Sequence, residues 1–398
     1  MTAAAFIGFT GFTLVMPFLP LYIDELGVHD AGAIALWSGV SLGVTPAVTA
    51  MMAPIWARVA ERYGKKLMVA RSLGSFVVIM TATAFVTAPW QVFALRTLQG
   101  FFAGYGPIAM TMAAESAPPD KVVTAIGWVQ TAQRLGPALG PVIGGVIAQA
   151  VGLRRSFFVA AVFYLAACLL VMFGYREPRP AAQAQEAPKP APATWRTLRR
   201  VRYFTLFVGT VLGLQLVDRS FGPVLPLYLL ELGMPAARVP FLSGLIFTAM
   251  AAAAAAGNQL TGRLLGRWRV AKLVPAGAAA AALAASIFAL AAPVGALLAM
   301  AVVFGLGLGV ATTAIYTAAT RAVTAADRGM AFSYLTTAYL VGLALSPVIA
   351  GLIGALSMRA VFVADAIALA GVAWLVASRM RGGAARATGI VGGEGQSA

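Results

Sequence analysis

The chain has 398 residues, of which 60% are hydrophobic and only 11% are charged. A soluble domain usually carries about 25% charged residues, so this composition excludes an ordinary water-soluble protein and indicates burial in a lipid bilayer. The net charge of +16 does not indicate nucleic-acid binding, because the Lys and Arg residues lie in short clusters between apolar runs and not along one face.

Apolar runs long enough to cross a bilayer, which takes about 20 helical residues, recur along the whole sequence. We predict an all-α integral membrane protein with twelve transmembrane helices. Their approximate positions are 4–24, 33–57, 67–87, 91–115, 122–148, 156–175, 203–230, 239–262, 273–292, 294–318, 329–354 and 360–378. If both termini are cytoplasmic, the opposite side holds only Arg154, Arg155, Arg238 and Arg359, and this asymmetry of Lys and Arg predicts that orientation.

A segment rich in proline and alanine divides the chain into two similar halves. It predicts a flexible cytoplasmic linker, because such a composition cannot bury a core. The halves repeat at an offset of 206 residues, so that Pro17 and Pro20 match Pro223 and Pro226. Paired halves of this kind predict a transporter with its binding site near the bilayer midplane. The predicted parts are a six-helix bundle at 1–176, the linker at 177–202, a second six-helix bundle at 203–380 and a disordered cytoplasmic tail at 381–398.

The loop after the second predicted helix reads ARVAERYGKK at residues 57–66. It resembles the signature G-x-x-x-D-R-x-G-R-R of the major facilitator superfamily, although alanine and glutamate replace its first glycine and its aspartate. The resemblance implies a pseudo-symmetric transporter fold and a conformational latch between the halves, formed by Glu61, Arg62, Gly64, Lys65 and Glu115. The alternative is a basic loop that only fixes the membrane topology.

The fifth predicted helix fits the pattern G-x8-G-x3-G-P-x2-G-G, the signature of drug:proton antiporters in that superfamily. The matching residues are Gly127, Gly136, Gly140, Pro141, Gly144 and Gly145. Glycines four residues apart form one smooth stripe on which a neighbouring helix can approach closely, and the proline removes a backbone donor. The resemblance implies proton-coupled export of drug-like compounds, whereas ordinary packing of small residues is the alternative.

Three ionisable residues inside predicted helices are candidates for proton coupling, because such groups are costly in a membrane and usually functional. Asp218 is the one carboxylate that we place at mid-membrane, and a structural ion pair is its alternative role. Arg96 begins RTLQG, which resembles the R-x-x-Q-G motif that assists proton transfer in the family; snorkelling to the interface is the alternative. Arg134 lies one turn after Gln130. Residues 10–16 lack the acid that many relatives carry in the first helix.

The resemblance further implies that the first, fourth, fifth, seventh and tenth helices line the substrate cavity. Candidate contacts there are Phe12, Met16, Tyr105, Gln130, Gln215, Phe221 and Tyr316, with packing or lipid contact as the alternative for each. Aromatic and methionine side chains adapt to varied apolar shapes. Polar groups in these helices are few, which favours export of hydrophobic compounds over the alternative of a same-fold importer or symporter of a metabolite. A non-transporting receptor or scaffold is a further alternative.

The sequence predicts no enzymatic activity, cofactor or metal site. It has no ATP-binding G-x-x-x-x-G-K-[ST] motif, and its single cysteine and single histidine leave no set of metal ligands or nucleophile and base. The predicted partners are a small-molecule substrate, protons and the lipid bilayer, with no nucleic acid. We expect a monomer in the bacterial inner membrane.

Overall fold

The computed structural model describes residues 1–175, 203–290, 292–324 and 327–388, together with Leu198 and Val201. Within these ranges every regular element is helical. Eleven stretches there are long and apolar enough to cross a membrane. The predicted all-helical membrane fold is therefore confirmed, with a helix count close to the predicted twelve.

The described helices follow the predicted spans closely. In the first half they are α1 (Thr2–Leu14), α2 (Leu19–Glu25), α3 (Ala31–Tyr63), α4 (Lys65–Thr83), α5 (Pro89–Phe102), α6 (Tyr105–Ser116), α7 (Val122–Val151) and α8 (Leu153–Gly174). In the second half they are α9 (Phe204–Asp218), α10 (Phe221–Glu231), α11 (Val239–Leu264), α12 (Val270–Ala289), α13 (Val294–Ala322), α14 (Arg328–Gly354) and α15 (Met358–Thr388).

The first and seventh spans are not the continuous helices that the sequence predicted. A 3₁₀ turn at Met16–Phe18 separates α1 from α2, and a break at Arg219 and Ser220 separates α9 from α10. Proline lacks a backbone N–H and disfavours helix interiors, and prolines recur at or just after both breaks, at Pro17 and Pro223. The first and seventh spans correspond in the sequence repeat, and both are interrupted in the structure.

The fourth span is also interrupted, because Ala103 and Gly104 separate α5 from α6. Gly104 has φ 125°, a conformation that glycine adopts without steric cost. Side chains from neighbouring helices satisfy the carbonyls that the break exposes. The Trp56 indole N–H donates to the Phe101 carbonyl at 2.6 Å, and Arg71 Nη2 donates to the Phe102 carbonyl at 3.2 Å.

Two glycines allow long helices to follow one another directly. Gly64, with φ 93°, joins α3 to α4, and Gly152, with φ 89°, joins α7 to α8. Asp30 starts α3 as its N-cap, since its carboxylate accepts from the Ala33 N–H at 2.7 Å. A capping side chain of this kind satisfies one of the unpaired amides of the first turn.

The described chain divides into two compact units. The first contains residues 1–175 with Arg219–Ala251 and Leu343–Val361; in it α7 packs on α1, α4 on α8 and α3 on α5. The second contains residues 203–218, Ala252–Gly342 and 362–388; in it α12 packs on α13. Almost all of the predicted linker at 177–202 and residues 389–398 of the predicted tail lie outside the described residues.

The first unit is closely packed at the end of its helices that lies opposite the 57–66 loop, which we term the distal end. There α3 meets α14, since a Cβ added to Gly39 would lie 3.0 Å from the Gly351 Cα. Likewise α7 meets α11, since a Cβ on Gly145 would lie 2.9 Å from the Phe241 Cα. Backbones this close leave no passage at these two contacts.

Candidate functional site

A cavity lies within the first unit, where α1, α3, α5 and α14 converge. It encloses about 570 Å³ of empty space, part of it open to solvent. The lining residues are Phe12, Met16, Leu42, Thr45, Pro46, Arg96, Arg219, Leu343 and Pro347. A mainly apolar wall with a few polar groups is typical of a site for a small organic molecule.

Arg96 is the most deeply buried charged residue of this cavity, with 4% of its surface exposed. Its Nη1 donates to Gln99 Oε1 at 2.9 Å, while its Nη2 is buried without a hydrogen-bond partner. Among the described residues no carboxylate forms an ion pair with it. A buried guanidinium without a counter-ion is costly, by several kcal/mol, so this arrangement marks a position where a further polar or anionic group would be stabilised.

Further polar groups surround Arg96 inside the first half. Gln99 Nε2 and the hydroxyls of Tyr105 and Tyr164 are buried. The Gln99 side chain lies within hydrogen-bonding reach of the Tyr164 hydroxyl, whereas the Tyr105 hydroxyl has no hydrogen-bond partner among the described residues. Tyr164 lies within electrostatic range of Arg96. The Phe76 ring packs against both tyrosine rings, with centroid distances of 6.2 Å to Tyr105 and 5.1 Å to Tyr164. Together Arg96, Gln99, Tyr105 and Tyr164 form a group of buried polar side chains, of which Arg96 lines the cavity; we term this group the buried polar cluster.

The backbone at Arg96 is fixed by the contact between α3 and α5. The Thr45 hydroxyl donates to the Arg96 carbonyl at 2.9 Å. A Cβ on Gly100 would lie 2.6 Å from the Thr45 carbonyl oxygen, so the glycine of RTLQG lets the two helices touch. The RTLQG motif therefore supplies both the Arg96 charge and the glycine that brings α5 close to α3.

The glycine stripe of α7 lies directly against α1. A Cβ added to Gly136 would be 2.8 Å from the Phe6 carbonyl oxygen, and one on Gly140 would be 2.8 Å from that of Thr10. Gly144 meets the Leu14 carbonyl in the same way. The stripe thus seats the helix that supplies Phe12 and Met16 to the cavity wall.

The other end of the same motif contacts the second half of the sequence, within the first unit. The Val142 N–H donates to the Thr248 hydroxyl at 3.2 Å, and a Cβ on Gly244 would lie 3.1 Å from the Val142 Cα. One face of α7 therefore packs on α1, while its distal end packs on α11.

The 57–66 loop brings together the basic and acidic groups expected of a latch. Lys65 Nζ forms an ion pair with Glu115 at the end of α6, and Gly64 makes the tight turn at φ 93°. Arg62 is exposed and lies over the Tyr63 ring, 5.5 Å from its centroid. The side chain of Glu61 lies outside the described part of the structure. Any latching action of these residues stays a prediction.

The sequence matches the Major Facilitator Superfamily over residues 1–294 and 220–392. The chain belongs to the major facilitator superfamily. The predicted membership is thereby confirmed, as is the prediction that the protein is not an enzyme, since this is a family of transporters. The chain is a multi-pass membrane protein.

Curated relatives within the superfamily are multidrug transporters. The chain is 32% identical over 259 residues to the multidrug resistance protein MdtG of Proteus mirabilis, a match that covers 65% of this chain and 64% of the relative. It is 34% identical over 260 residues to the multi-drug resistance efflux pump PmrA homolog of Lactococcus lactis, covering 65% of this chain and 63% of that protein. The chain thus spans just under two thirds of these relatives. The predicted resemblance to the multidrug branch is confirmed.

Solved structures of the superfamily share the fold over nearly the whole chain. A bacterial homolog of the human lysosomal transporter Spinster, inward-facing and occupied, superposes with a TM-score of 0.80 at 18% identity, covering 96% of this chain and 95% of that one. The nucleoside transporter NupG gives a TM-score of 0.71 at 15% identity, covering 95% and 98%. At these identities the similarity shows the architecture alone.

The predicted substrate contacts fall into different environments in this superfamily fold. Phe12 and Met16 line the cavity and are half-buried, and Tyr105 lies in the buried polar cluster. In the second unit, Gln215 is buried against Gly342, and Tyr316 stacks on Phe332 at 6.2 Å. Gln130 is exposed on α7, and Phe221 is 1% exposed. None of these roles has been tested, so each stays a prediction.

The predicted proton-coupling residues are likewise in different positions. Arg96 lines the cavity, whereas Arg134 is exposed on α7. Asp218 is half-buried at the end of α9, next in sequence to Arg219, which lines the cavity. The sequence placed Asp218 near the centre of a continuous seventh helix. In the structure, Asp218 instead lies where that span is interrupted.

Sequence reasoning missed most of the cavity wall, because it took the cavity helices from the family resemblance. Leu42, Thr45 and Pro46 on α3, and Leu343 and Pro347 on α14, line the cavity, yet neither helix was among those expected to do so. Pro46 and Pro347 both lie inside helices. A proline in the middle of a long apolar helix was the signal that could have indicated each of these positions.

Proposed function

We propose that the protein is a secondary active transporter that exports small hydrophobic or drug-like compounds in exchange for protons, by alternating access. The observation that carries the proposal is the mainly apolar cavity seated on the α1–α7 contact, which the antiporter signature builds. Similarity to two multidrug transporters supports the substrate class. The absence of an ATP-binding motif from the sequence supports a proton gradient as the energy source.

Proton coupling in this proposal depends on Asp218. A carboxylate in a membrane interior is stabilised in its neutral form by desolvation and in its charged form by a nearby cation. Protonation from the outer side would favour release of substrate outward, and release of the proton to the cytoplasm would restore binding. Arginine side chains do not release their proton in proteins, so Arg96 and Arg134 act in this proposal as positioning residues and not as proton carriers.

The remaining parts of the proposal concern organisation. The first bundle comprises residues 1–176 and the second residues 203–380, and the linker between them and both termini face the cytoplasm. The protein lies in a bacterial inner membrane as a monomer and binds no nucleic acid. The Lys65–Glu115 pair orders the cytoplasmic 57–66 segment of the first bundle, and Glu61 and Arg62 in that segment latch it to the second bundle when the cavity opens outward.

Purified protein in proteoliposomes with an imposed pH gradient tests this function. We expect addition of a neutral lipophilic dye to release the stored protons, and an ionophore that collapses the gradient to stop dye movement. Empty liposomes and protein-containing liposomes without a gradient serve as controls. Dye movement that ignores the gradient, or movement of a metabolite together with protons in the same direction, would contradict proton-coupled export.

A further inference from the structure

The cavity wall carries a buried positive charge at Arg96. Two of its lining residues, Arg96 and Arg219, are arginines, and none of the described lining residues is acidic. Arg96 in particular is buried, and the carboxylates that the structure describes lie beyond ion-pair distance of it. Charge buried in this way needs a counter-ion, and a carboxylate is the group that a guanidinium fork binds best.

The buried polar cluster offers further donors. Arg96 Nη2 and the Tyr105 hydroxyl lack a hydrogen-bond partner, and both can donate hydrogen bonds. Buried donors without partners are rare in folded proteins and call for an explanation such as a bound group. A guanidinium donates only and carries a positive charge, so the group that it binds best is an anionic acceptor.

Apart from Thr45, the rest of the cavity wall is apolar. Phe12, Met16 and Leu42 come from the first half of the sequence, and Leu343 and Pro347 come from α14. A lipophilic cation placed here would meet apolar contacts but would be repelled at short range by the Arg96 guanidinium, which has no counter-ion among the described residues. A lipophilic anion would gain both from the apolar contacts and from attraction to the guanidinium.

We propose that the cavity binds amphipathic organic acids, with the carboxylate held by Arg96 and Arg219 and the hydrocarbon part against α1 and α3. This inference rests on the proposed function, because it names the substrate class of the same cavity. It makes Arg96 a substrate-binding residue in addition to any part it has in proton coupling.

Binding of three compounds of similar size and different charge tests the proposal. The probes are naphthalene-2-carboxylate, naphthalen-2-ylmethanol and naphthalen-2-ylmethylamine, titrated calorimetrically into the full-length protein in nanodiscs of zwitterionic lipid. We expect the carboxylate to bind about tenfold or more tightly than the alcohol and the amine, a typical effect of one desolvated charge pair. A wild type that binds the amine as tightly as the carboxylate overturns the proposal.

Variants then locate the preference. Arg96→Gln should abolish the preference for the carboxylate and retain binding of the alcohol, which reports an intact cavity, while Arg96→Lys should keep part of it. Arg155→Gln, a change at an exposed arginine of α8, should bind all three probes as the wild type does. If Arg96→Gln does not fold, Arg219→Gln replaces it, and an unchanged carboxylate preference in the folded variant contradicts the proposed site.

Two further outcomes separate this inference from its neighbours. If phosphatidylglycerol in the nanodisc displaces the carboxylate in an Arg96-dependent manner, the site holds a lipid headgroup and the substrate proposal fails. Export of the amine against a proton gradient, without binding of the carboxylate, would overturn this inference and leave the proposed function intact. Carboxylate binding without any proton-coupled movement would support this inference and contradict the proposed function.

Discussion

At the scale of single residues, the membrane interior makes each ionisable group expensive, and the sequence therefore restricts attention to very few positions. Arg96 and Asp218 were both recognisable in this way. What the sequence did not provide was their surroundings. The absence of a counter-ion for Arg96 depends on how α3, α5 and the tyrosines of α6 and α8 pack, and no spacing rule reports that.

Asp218 carries the residue-scale prediction. Asp218→Asn should remove substrate-driven proton movement, lowering it by about 10- to 100-fold, the usual size of a coupling between two ligands. The amide matches the carboxylate in shape but cannot load a proton, so binding of a neutral substrate should persist. Proton flux measured with a pH-sensitive dye, alongside substrate binding, checks both parts.

Glu231→Gln provides the matched control for that measurement, because Glu231 is exposed at the end of α10. Its proton flux should equal that of the wild type. Full proton-coupled transport by Asp218→Asn would exclude Asp218 as the coupling acid and direct attention to another group.

At the scale of helices, length and hydropathy predicted the spans well but not their continuity. A hydropathy window averages composition, so it does not detect a single residue at which the backbone leaves the helix. The breaks at Met16–Phe18 and at Gly104 are of this kind. The sequence repeat also does not account for every break. Val310 is the counterpart of Gly104 at the 206-residue offset, and it lies within the unbroken α13.

The antiporter signature is the element that transferred best from sequence to structure. Its spacing predicted a surface for close helix approach, and α1 occupies that surface. The identity of the partner helix could not be read from the spacing, because a stripe of glycines specifies a distance and not a neighbour.

Alanine substitutions within this signature give the element-scale prediction. Gly144→Ala places a methyl group against the Leu14 carbonyl, so α1 must shift, and overpacking of this kind costs about 1–3 kcal/mol. We expect a lower melting temperature in detergent and reduced transport. Gly127→Ala is the control, since no atom lies within 4 Å of its added Cβ, and its stability should change by less than about 0.5 kcal/mol. Equal melting temperatures for the two variants would contradict the packing role of the stripe.

At the scale of the whole molecule, the internal repeat and the motifs were sufficient to predict the superfamily. Which helices line the cavity could not be predicted, because α3 and α14 carry apolar side chains that suit lipid, protein or cavity equally well. The compact units also cut across the two halves of the sequence, since Arg219–Ala251 and Leu343–Val361 pack with residues of the first half. That packing closes the distal end at the α3–α14 and α7–α11 contacts.

Alternating access requires this distal contact to open and close in every cycle, and a reversible disulfide across it tests that requirement most directly. A Cβ on Gly354 would lie 3.3 Å from the Ala35 Cβ, close to the separation of about 3.5–4.5 Å in disulfides. The double variant Ala35→Cys with Gly354→Cys is made in a Cys168→Ala background, with each single variant as control. We expect oxidation to stop transport by the double variant alone and a reducing agent to restore it. Transport at the wild-type rate by protein that is fully cross-linked would contradict alternating access at this contact.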